Sequence, residues 1–209
     1  MRNTVYLYVF DTMADWEASY VIAELNSGRY FKKESIKFSV KTVGLNKEPI
    51  ITMGGVGIIP DFSVEECSIE AAIALVLPGG DTWLEALHAP IFEKTKEFLQ
   101  AGVLVAAICG ATIGLANTGF LDERYHTSND LTYLQTVCPN YTGGSFYRQE
   151  PAVIDANLIT ASGIAPLEFA YQVLKSLAVF SPQTLESWYS LYATREAKYF
   201  YALMSSIQA

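Results

Sequence analysis

The sequence has few residues suited to binding metal ions. It contains two histidines and three cysteines, and the cysteines at positions 67, 109 and 138 stand far apart without CxxC spacing. So few and widely spaced cysteines and histidines favour reduced thiols in a cytoplasmic protein and predict neither a structural zinc site nor any other metal site. No phosphate-binding glycine loop or redox-cofactor motif occurs, so the sequence favours a reaction that needs no cofactor.

Clustered cations and long apolar runs are also missing. The formal net charge is −8, and Lys and Arg form no cluster that would contact nucleic-acid phosphates. No stretch approaches the roughly 18 consecutive apolar residues of a membrane span. The N-terminal residues MRNTVYLYVF lack the long apolar core and the cleavage site of a signal peptide. We therefore expect a cytoplasmic protein that binds neither nucleic acid nor membrane.

The chain does contain enough apolar sequence for a large packed core. Hydrophobic residues make up 51% of the 209 positions and charged residues 17%. Strands are predicted at 5–10, 36–43, 71–77, 104–108, 152–154 and 158–160, a hairpin at 49–59, and helices at 15–26, 81–88, 90–100, 131–137, 165–180 and 183–207. This alternation predicts an α/β fold whose mostly parallel central sheet carries helices on both faces.

The most informative stretch is 104–120, with the sequence LVAAICGATIGLANTGF. It predicts a buried strand that ends at Cys109 and turns at once into a helix. A cysteine on such a strand–helix elbow has its sulfur at the positive end of the helix, which favours the nucleophilic thiolate. The turn is strained and needs small neighbours, which Gly110 and Ala111 provide. The alternative is a small buried residue that simply ends a strand.

The turn Pro78-Gly79-Gly80 ends a neighbouring predicted strand. Glycines at this point allow a backbone N–H to approach a substrate oxygen closely, and the N–H of Gly110 is a second donor for the same oxyanion. Taken alone, the three residues are more simply explained as a turn.

His126 and Glu17 are the candidates for proton transfer. His126 lies in a short segment beyond the elbow helix and is preferred over His88, which falls near a predicted helix C-terminus. The alternative for His126 is a solvent-facing loop histidine. A protonated Glu17 beside the thiol would donate a hydrogen bond to the thiolate, although its local pattern is that of an exposed glutamate in a first helical turn. Asp15 is interpreted as the cap of that helix.

Three segments together resemble the DJ-1/PfpI family, within the class I glutamine-amidotransferase-like superfamily. They are 106–110 (AAICG), 77–80 (LPGG) and 158–163 (LITASG), the last leading into Glu168-Phe169-Ala170. The resemblance covers roughly residues 3–180 and implies a flavodoxin-like three-layer sandwich with Cys109 on the elbow. We expect one such domain over 1–180 and an aromatic-rich helical extension over 181–209, which would cap a face of the sheet or form a subunit interface.

The resemblance also implies roles for individual residues. Glu17 matches the family's thiol-contacting glutamate, Gly80 and Gly110 match its oxyanion donors, and His126 sits where many members carry a histidine. Glu168 matches a glutamate that we interpret as structural. Family members are commonly dimers, so a homodimer is expected. Protease-like members often carry a histidine directly after the nucleophile, whereas this chain has Gly110, which weakens the analogy with a peptidase.

These features predict a cysteine-dependent hydrolase in which Cys109 attacks a carbonyl carbon of a small-molecule or peptide substrate. The resemblance implies peptides, amides and reactive aldehydes such as methylglyoxal as substrate classes. The alternative is a non-enzymatic redox or stress sensor, in which Cys109 is oxidised to a sulfinic acid. His126 far from the sulfur with Glu17 close would favour the sensor or an aldehyde-directed activity. A third alternative is a small-molecule-binding protein without turnover.

Overall fold

The computed structural model describes residues 2–33 and 35–207. The strands are β1 (Thr4–Tyr8), β2 (Ser39–Gly44), β3 (Ile50–Ile51), β4 (Gly57–Ile58), β5 (Phe62–Ser63), β6 (Ala72–Leu77), β7 (Leu104–Ile108), β8 (Ala152–Asp155) and β9 (Leu158–Ala161). The α-helices are α1 (Ser19–Ser27), α2 (Ala89–Gln100), α3 (Gly110–Asn117), α4 (Leu131–Val137), α5 (Pro166–Ser176), α6 (Pro182–Thr194) and α7 (Ala197–Ser206).

Seven of the strands form one sheet in the order β5-β2-β1-β6-β7-β9-β8. The pairing of β8 with β9 is antiparallel, and the other pairings in this sheet are parallel. The remaining two, β3 and β4, form the predicted hairpin. Helices α2, α3 and α5 all pack against β7, so the sheet lies among helices. The predicted mostly parallel α/β fold of the flavodoxin-like kind is confirmed.

The centre of the sheet holds the core and positions the site. Every residue of β7 is buried, as are nearly all those of β1 and β6. Strands covered by helices need apolar side chains on both faces, which explains their near-continuous apolar sequences. Because these three strands are parallel, their carboxyl ends meet at one edge of the sheet, where ligands bind in such folds. Glu17, Gly79 and Cys109 follow β1, β6 and β7 at this edge.

Two predicted helices differ from the structure near this edge. Helix α1 begins at Ser19 and not at residue 15, because the carboxylate of Asp15 accepts the N–H of Gly54 in the hairpin (2.7 Å) instead of capping a helix. The helix predicted over 81–88 is absent: within this segment only Ala86–His88 forms a short 3-10 turn. The side chain of Trp83 reaches back to the carbonyl of Pro78 (2.9 Å), which holds this segment in an irregular path.

The predicted C-terminal helix is two helices, α6 and α7. The chain breaks between them at Arg195, which has a left-handed backbone with φ 63°. The fully buried indole of Trp188 on α6 donates to the carboxylate of Glu24 on α1 at 3.0 Å. Arg29 donates to the same carboxylate through Nε at 2.9 Å. Within residues 2–33 and 35–207, no helix combines the length and apolar character that crossing a membrane requires.

Candidate active site

Cys109 occupies a strained backbone position between β7 and α3. Its φ of 58° and ψ of −122° lie outside the ordinary regions for an L-residue, as expected for a nucleophile elbow. The turn leaves no room for a side chain at Gly110, because a Cβ there would lie 2.7 Å from the carbonyl oxygen of Gly80. The thiol itself is half-buried. The prediction of a sharp strand–helix elbow at Cys109 therefore agrees with the backbone geometry.

The carboxyl of Glu17 lies against this thiol. It is 1% exposed and lies close enough to the Cys109 thiol for the two groups to influence each other's pKa. Its Oε2 accepts the N–H of Gly79 at 2.5 Å. The turn between β1 and α1 directs Glu17 inward, which is the opposite of the exposed first-turn position that its local sequence indicates. The structure thus brings together the two side chains that the family resemblance paired.

Burial raises the pKa of both groups. Burial raises the pKa of the Glu17 carboxyl, while hydrogen bonds from Gly79 and Cys109 act against this rise. Burial also raises the pKa of the Cys109 thiol, and an ionised Glu17 raises it further. The N–H groups of Asn129 and Gly110 lower the pKa of the thiol. The thiolate is therefore favoured chiefly when Glu17 holds a proton, so the two groups titrate as a pair.

Asn129 completes the surroundings of the sulfur, and the sequence analysis missed it. Its Nδ2 donates to Cys109 Sγ at 3.3 Å, and its Oδ1 accepts the N–H of Gly163 at 2.7 Å. Gly163 lies so close that a Cβ on it would be 2.6 Å from Sγ. Asn129 directly precedes Asp130, the N-cap of α4. A run of Ser, Asn and Asp is typical of a helix start, and this local role concealed the contact with the thiol.

The predicted oxyanion donors divide into two groups. The N–H of Gly79 is occupied by Glu17, so it is not available to a substrate in this arrangement. The N–H of Gly80 makes no hydrogen bond within residues 2–33 and 35–207, and its nitrogen would lie 3.2 Å from a Cβ on Gly110. The N–H of Gly110 faces the sulfur. Gly80 and Gly110 therefore each present an N–H near the elbow that a carbonyl oxygen could use.

His126 is not directed at the thiol, contrary to its predicted role as the base. It is fully buried, and its Nδ1 and Nε2 lie 2.7 Å from the carbonyl of Arg124 and 2.7 Å from the hydroxyl of Tyr141. Burial lowers the pKa of its imidazole, which favours the neutral ring. The solvent-facing alternative is also wrong. Backbone pairing with Tyr147 holds the segment in place, so His126 is a histidine of the protein interior.

His88 likewise lies in the interior. Its Nδ1 is 2.9 Å from the hydroxyl of Tyr8 and its Nε2 is 2.9 Å from the hydroxyl of Thr82. Neither histidine is therefore free to serve the thiol. Among the residues that the structure describes, no group of three or more His, Cys, Asp or Glu side chains is arranged to hold a metal ion.

A cavity lies beside Asn129, whose amide contacts the thiol, although Cys109 itself does not line it. It has a volume of about 400 Å³ and is lined in part by Asn129, Ser162 and Ile164. Ile164 is 94% exposed, and Trp16, next to Glu17, is 51% exposed. Glu150 and Glu168 lie on the same wall. The opening near the thiol therefore combines amide, carboxylate and apolar groups, which suits a small organic molecule or a peptide segment.

The fold and the site together define a flavodoxin-like α/β protein with a cysteine elbow paired to a buried carboxyl. The chain belongs to the DJ-1/PfpI family: the sequence model of that family matches residues 3–176. This match spans the sheet and helices α1 to α5.

Similar proteins extend over almost the whole chain. The protein "Uncharacterized protease YoaZ" of Bacillus subtilis is 58% identical over 203 residues, which are 97% of each chain. "Uncharacterized protease YdeA" of the same organism is 33% identical over 189 residues, 89% of this chain and 88% of that protein. The crystal structure of a thiJ/pfpI family protein from Bacillus anthracis superposes with a TM-score of 0.97 at 57% identity, covering 100% of this chain and 99% of the other.

Proposed function

We propose that the protein is a cysteine-dependent hydrolase in which Cys109 adds to a substrate carbonyl and Glu17 carries the proton. The contact between the thiol and the buried Glu17 carboxyl on the strained elbow is the observation that carries this proposal. The names of the two Bacillus subtilis relatives, which describe them as uncharacterized proteases, agree with a hydrolase. A carboxyl with a raised pKa is suited to accept and return a proton near neutral pH.

The steps follow from the positions of these groups. As Sγ forms a bond to the carbonyl carbon, the thiol proton passes to the Glu17 carboxylate, and the carbonyl electron pair moves onto oxygen. The N–H groups of Gly80 and Gly110 would stabilise that oxyanion. On collapse the bond to the leaving group breaks, and Glu17 returns its proton to the leaving atom. Water then attacks the acyl-thioester, Glu17 accepts its proton, and the carboxylic acid is released as the thiol is restored.

The substrate class is narrowed by the absence of a histidine at the sulfur. Within residues 2–33 and 35–207, neither ring nitrogen of His126 or His88 is hydrogen-bonded to Sγ. A carboxyl is a weaker base than imidazole, so the thiol depends on a more electrophilic carbonyl. We therefore place reactive aldehydes and activated amides ahead of ordinary peptide bonds. An α-oxoaldehyde such as methylglyoxal has no leaving group, so addition of Sγ gives an alkoxide that Glu17 protonates to the hemithioacetal. Glu17 would then move the C1 hydrogen to C2 as a proton, which gives the acyl-thioester that water hydrolyses to a hydroxy acid as the thiol is restored.

The direct test compares the parent protein with Cys109→Ser on methylglyoxal, an activated amide and an unstructured peptide. We expect Cys109→Ser to lose at least about a hundredfold in turnover while retaining its circular dichroism spectrum and melting temperature. Cys67→Ser is the matched control, because burial raises the pKa of the Cys67 thiol to about 12 and it lies outside the site. Full turnover by Cys109→Ser would overturn the nucleophile assignment.

A second candidate function is redox sensing, which the same contacts favour. The amide of Asn129 donates to the sulfur and lowers the pKa of the thiol, so it would also stabilise an oxidised, negatively charged sulfur, and Glu17 would be a second donor when it holds a proton. Peroxide would oxidise the thiolate to a sulfenic acid with release of hydroxide, and a second peroxide would give the sulfinic acid. Mass spectrometry of the peroxide-treated parent would show two added oxygen atoms on Cys109 alone. Equal oxidation of Cys67 and Cys109 would remove this candidate.

A further inference from the structure

The peptide unit between Pro78 and Gly79 is held by hydrogen bonds on both sides. Its carbonyl oxygen accepts the indole N–H of Trp83 at 2.9 Å, and its N–H donates to Glu17 Oε2 at 2.5 Å. Two hydrogen bonds therefore link Trp83 through a single peptide to Glu17, whose carboxyl lies beside the thiol of Cys109. Both bonds are buried, so solvent does not compete with them.

Trp83 is itself held rigidly. It is 3% exposed and stacks on the ring of His88, with centroids 4.7 Å apart and an interplanar angle of 22°. The edge of Phe10 packs against it at 5.3 Å. Hydrogen bonds to Tyr8 and Thr82 fix His88 in turn. An indole with this packing has one orientation, and in that orientation its N–H points at the Pro78 carbonyl.

We propose that Trp83 is a positioning residue, whose indole N–H acts through the Pro78–Gly79 peptide to hold the Glu17 carboxyl against Cys109. A hydrogen bond accepted by the peptide oxygen polarises the peptide and makes its N–H a stronger donor. It also fixes the plane of the peptide, and so the direction of the Gly79 N–H. Trp83 does not touch the thiol. This role rests on the proposed chemistry of Cys109 and Glu17, and it adds a residue that positions Glu17 from outside the site.

The proposal has a consequence for the pH at which the thiolate of Cys109 forms. The Gly79 N–H favours the ionised carboxylate of Glu17. If Trp83 loses its N–H, that bond weakens, the ionised carboxylate is less stable, and Glu17 keeps its proton to higher pH. Because the thiolate is favoured when Glu17 holds a proton, the thiolate of Cys109 then forms at lower pH. The neighbouring titratable groups do not interfere: burial lowers the pKa of His88 to about 4 and raises the pKa of Tyr8, so both stay neutral near pH 7. No charged side chain contributes to the shifts of Glu17 or Cys109 apart from the two groups themselves.

The test is the pH profile of Cys109 alkylation by iodoacetamide in Trp83→Phe, which keeps the stacked ring and removes the N–H. We expect the midpoint of the profile to fall by about half a pH unit, because a net hydrogen bond of ordinary strength corresponds to about that shift. Trp188→Phe is the matched control. It also removes a buried indole N–H that donates to a glutamate, but that glutamate, Glu24, lies on α1 and does not contact the thiol. Its midpoint should equal that of the parent.

An unchanged midpoint in Trp83→Phe would overturn the proposal, as would an equal shift in Trp188→Phe. If Trp83→Phe does not fold, the same measurement is made with a tryptophan analogue at position 83 in which sulfur replaces the indole N–H. Alkylation needs no substrate, so the result is independent of turnover. A failure of the proposed hydrolase would appear instead as full activity in Cys109→Ser.

Discussion

Glu17 and Glu24 are both 1% exposed, but their partners differ, and the difference distinguishes a reactive carboxyl from a structural one. Glu24 accepts hydrogen bonds from the guanidinium of Arg29 and the indole of Trp188, so a cation compensates its charge. Glu17 accepts one backbone N–H and otherwise contacts a thiol. The carboxylate of Glu24, held by a cation and an indole, links helices α1 and α6. A buried carboxyl beside a thiol exchanges a proton with it.

Replacing Glu17 tests the reactive half of this comparison and carries the largest expected effect. Glu17→Gln removes the transferable proton but keeps the shape of the side chain and its contact with Gly79. We expect kcat/KM on a substrate that the parent accepts to fall by about 10²–10⁴-fold, the usual range for a positioned acid–base group. The free energy of unfolding at pH 7 should stay level or rise, because no cation is left unpaired. A variant with parental kcat/KM would remove Glu17 from the mechanism.

Replacing Glu24 tests the architectural half and is the matched control. Glu24→Gln keeps an acceptor for Trp188 but removes the charge that Arg29 faces. We expect urea unfolding to show a loss of about 1–3 kcal/mol, toward the lower end because the Arg29 side chain is 47% exposed and solvent can stabilise its charge. Turnover per folded molecule should match the parent. A loss of turnover with unchanged stability would reverse the roles assigned to the two glutamates.

The pH dependence of stability sharpens the comparison with a smaller effect. Burial raises the pKa of Glu17 above its ordinary value of 4.5, so the folded protein binds this proton more tightly than the unfolded chain does. The resulting stabilisation is complete below the ordinary pKa and is lost as pH rises through the folded value. Urea unfolding between about pH 4 and pH 8 should therefore show the parent losing stability relative to Glu17→Gln as pH increases. A parent that gains stability relative to Glu17→Gln over this range would contradict the raised pKa.

The sequence predicted the fold and the elbow because both depend on local, strongly patterned features. Apolar runs specify the central strands, and Cys109 between a buried strand and small residues has few other interpretations. Glu17 needed the family resemblance, because its position depends on how the turn after β1 meets Gly79 and Cys109. Its local pattern alone indicated an exposed side chain.

The errors share a physical cause, which is that tertiary hydrogen bonds override local pattern. Asp15 was predicted to cap a helix, but the N–H of Gly54 takes its carboxylate. Asn129 lies just before the run 131–137 predicted as a helix and was not singled out, although its amide contacts both Cys109 and Gly163. His126 was predicted as the base, but partners at Arg124 and Tyr141 occupy its ring. Apart from the carbonyl of Arg124, these partners lie between 15 and 39 positions away in the chain, and no spacing rule within the sequence signals them.

The hydrogen bond between Glu24 and Trp188 joins residues 164 positions apart in the chain, which has a consequence for biosynthesis. At ordinary elongation rates of about 5–20 residues per second, Trp188 is made roughly ten to thirty seconds after Glu24. By then the ribosome has already made Glu17, Cys109 and the strands between them. Until α6 is synthesised, the apolar surface of α1 that Trp188 covers in the folded protein therefore stays exposed to solvent. Ribosome-bound chains that stop short of α6 are the species in which chaperone binding to this surface should be strongest.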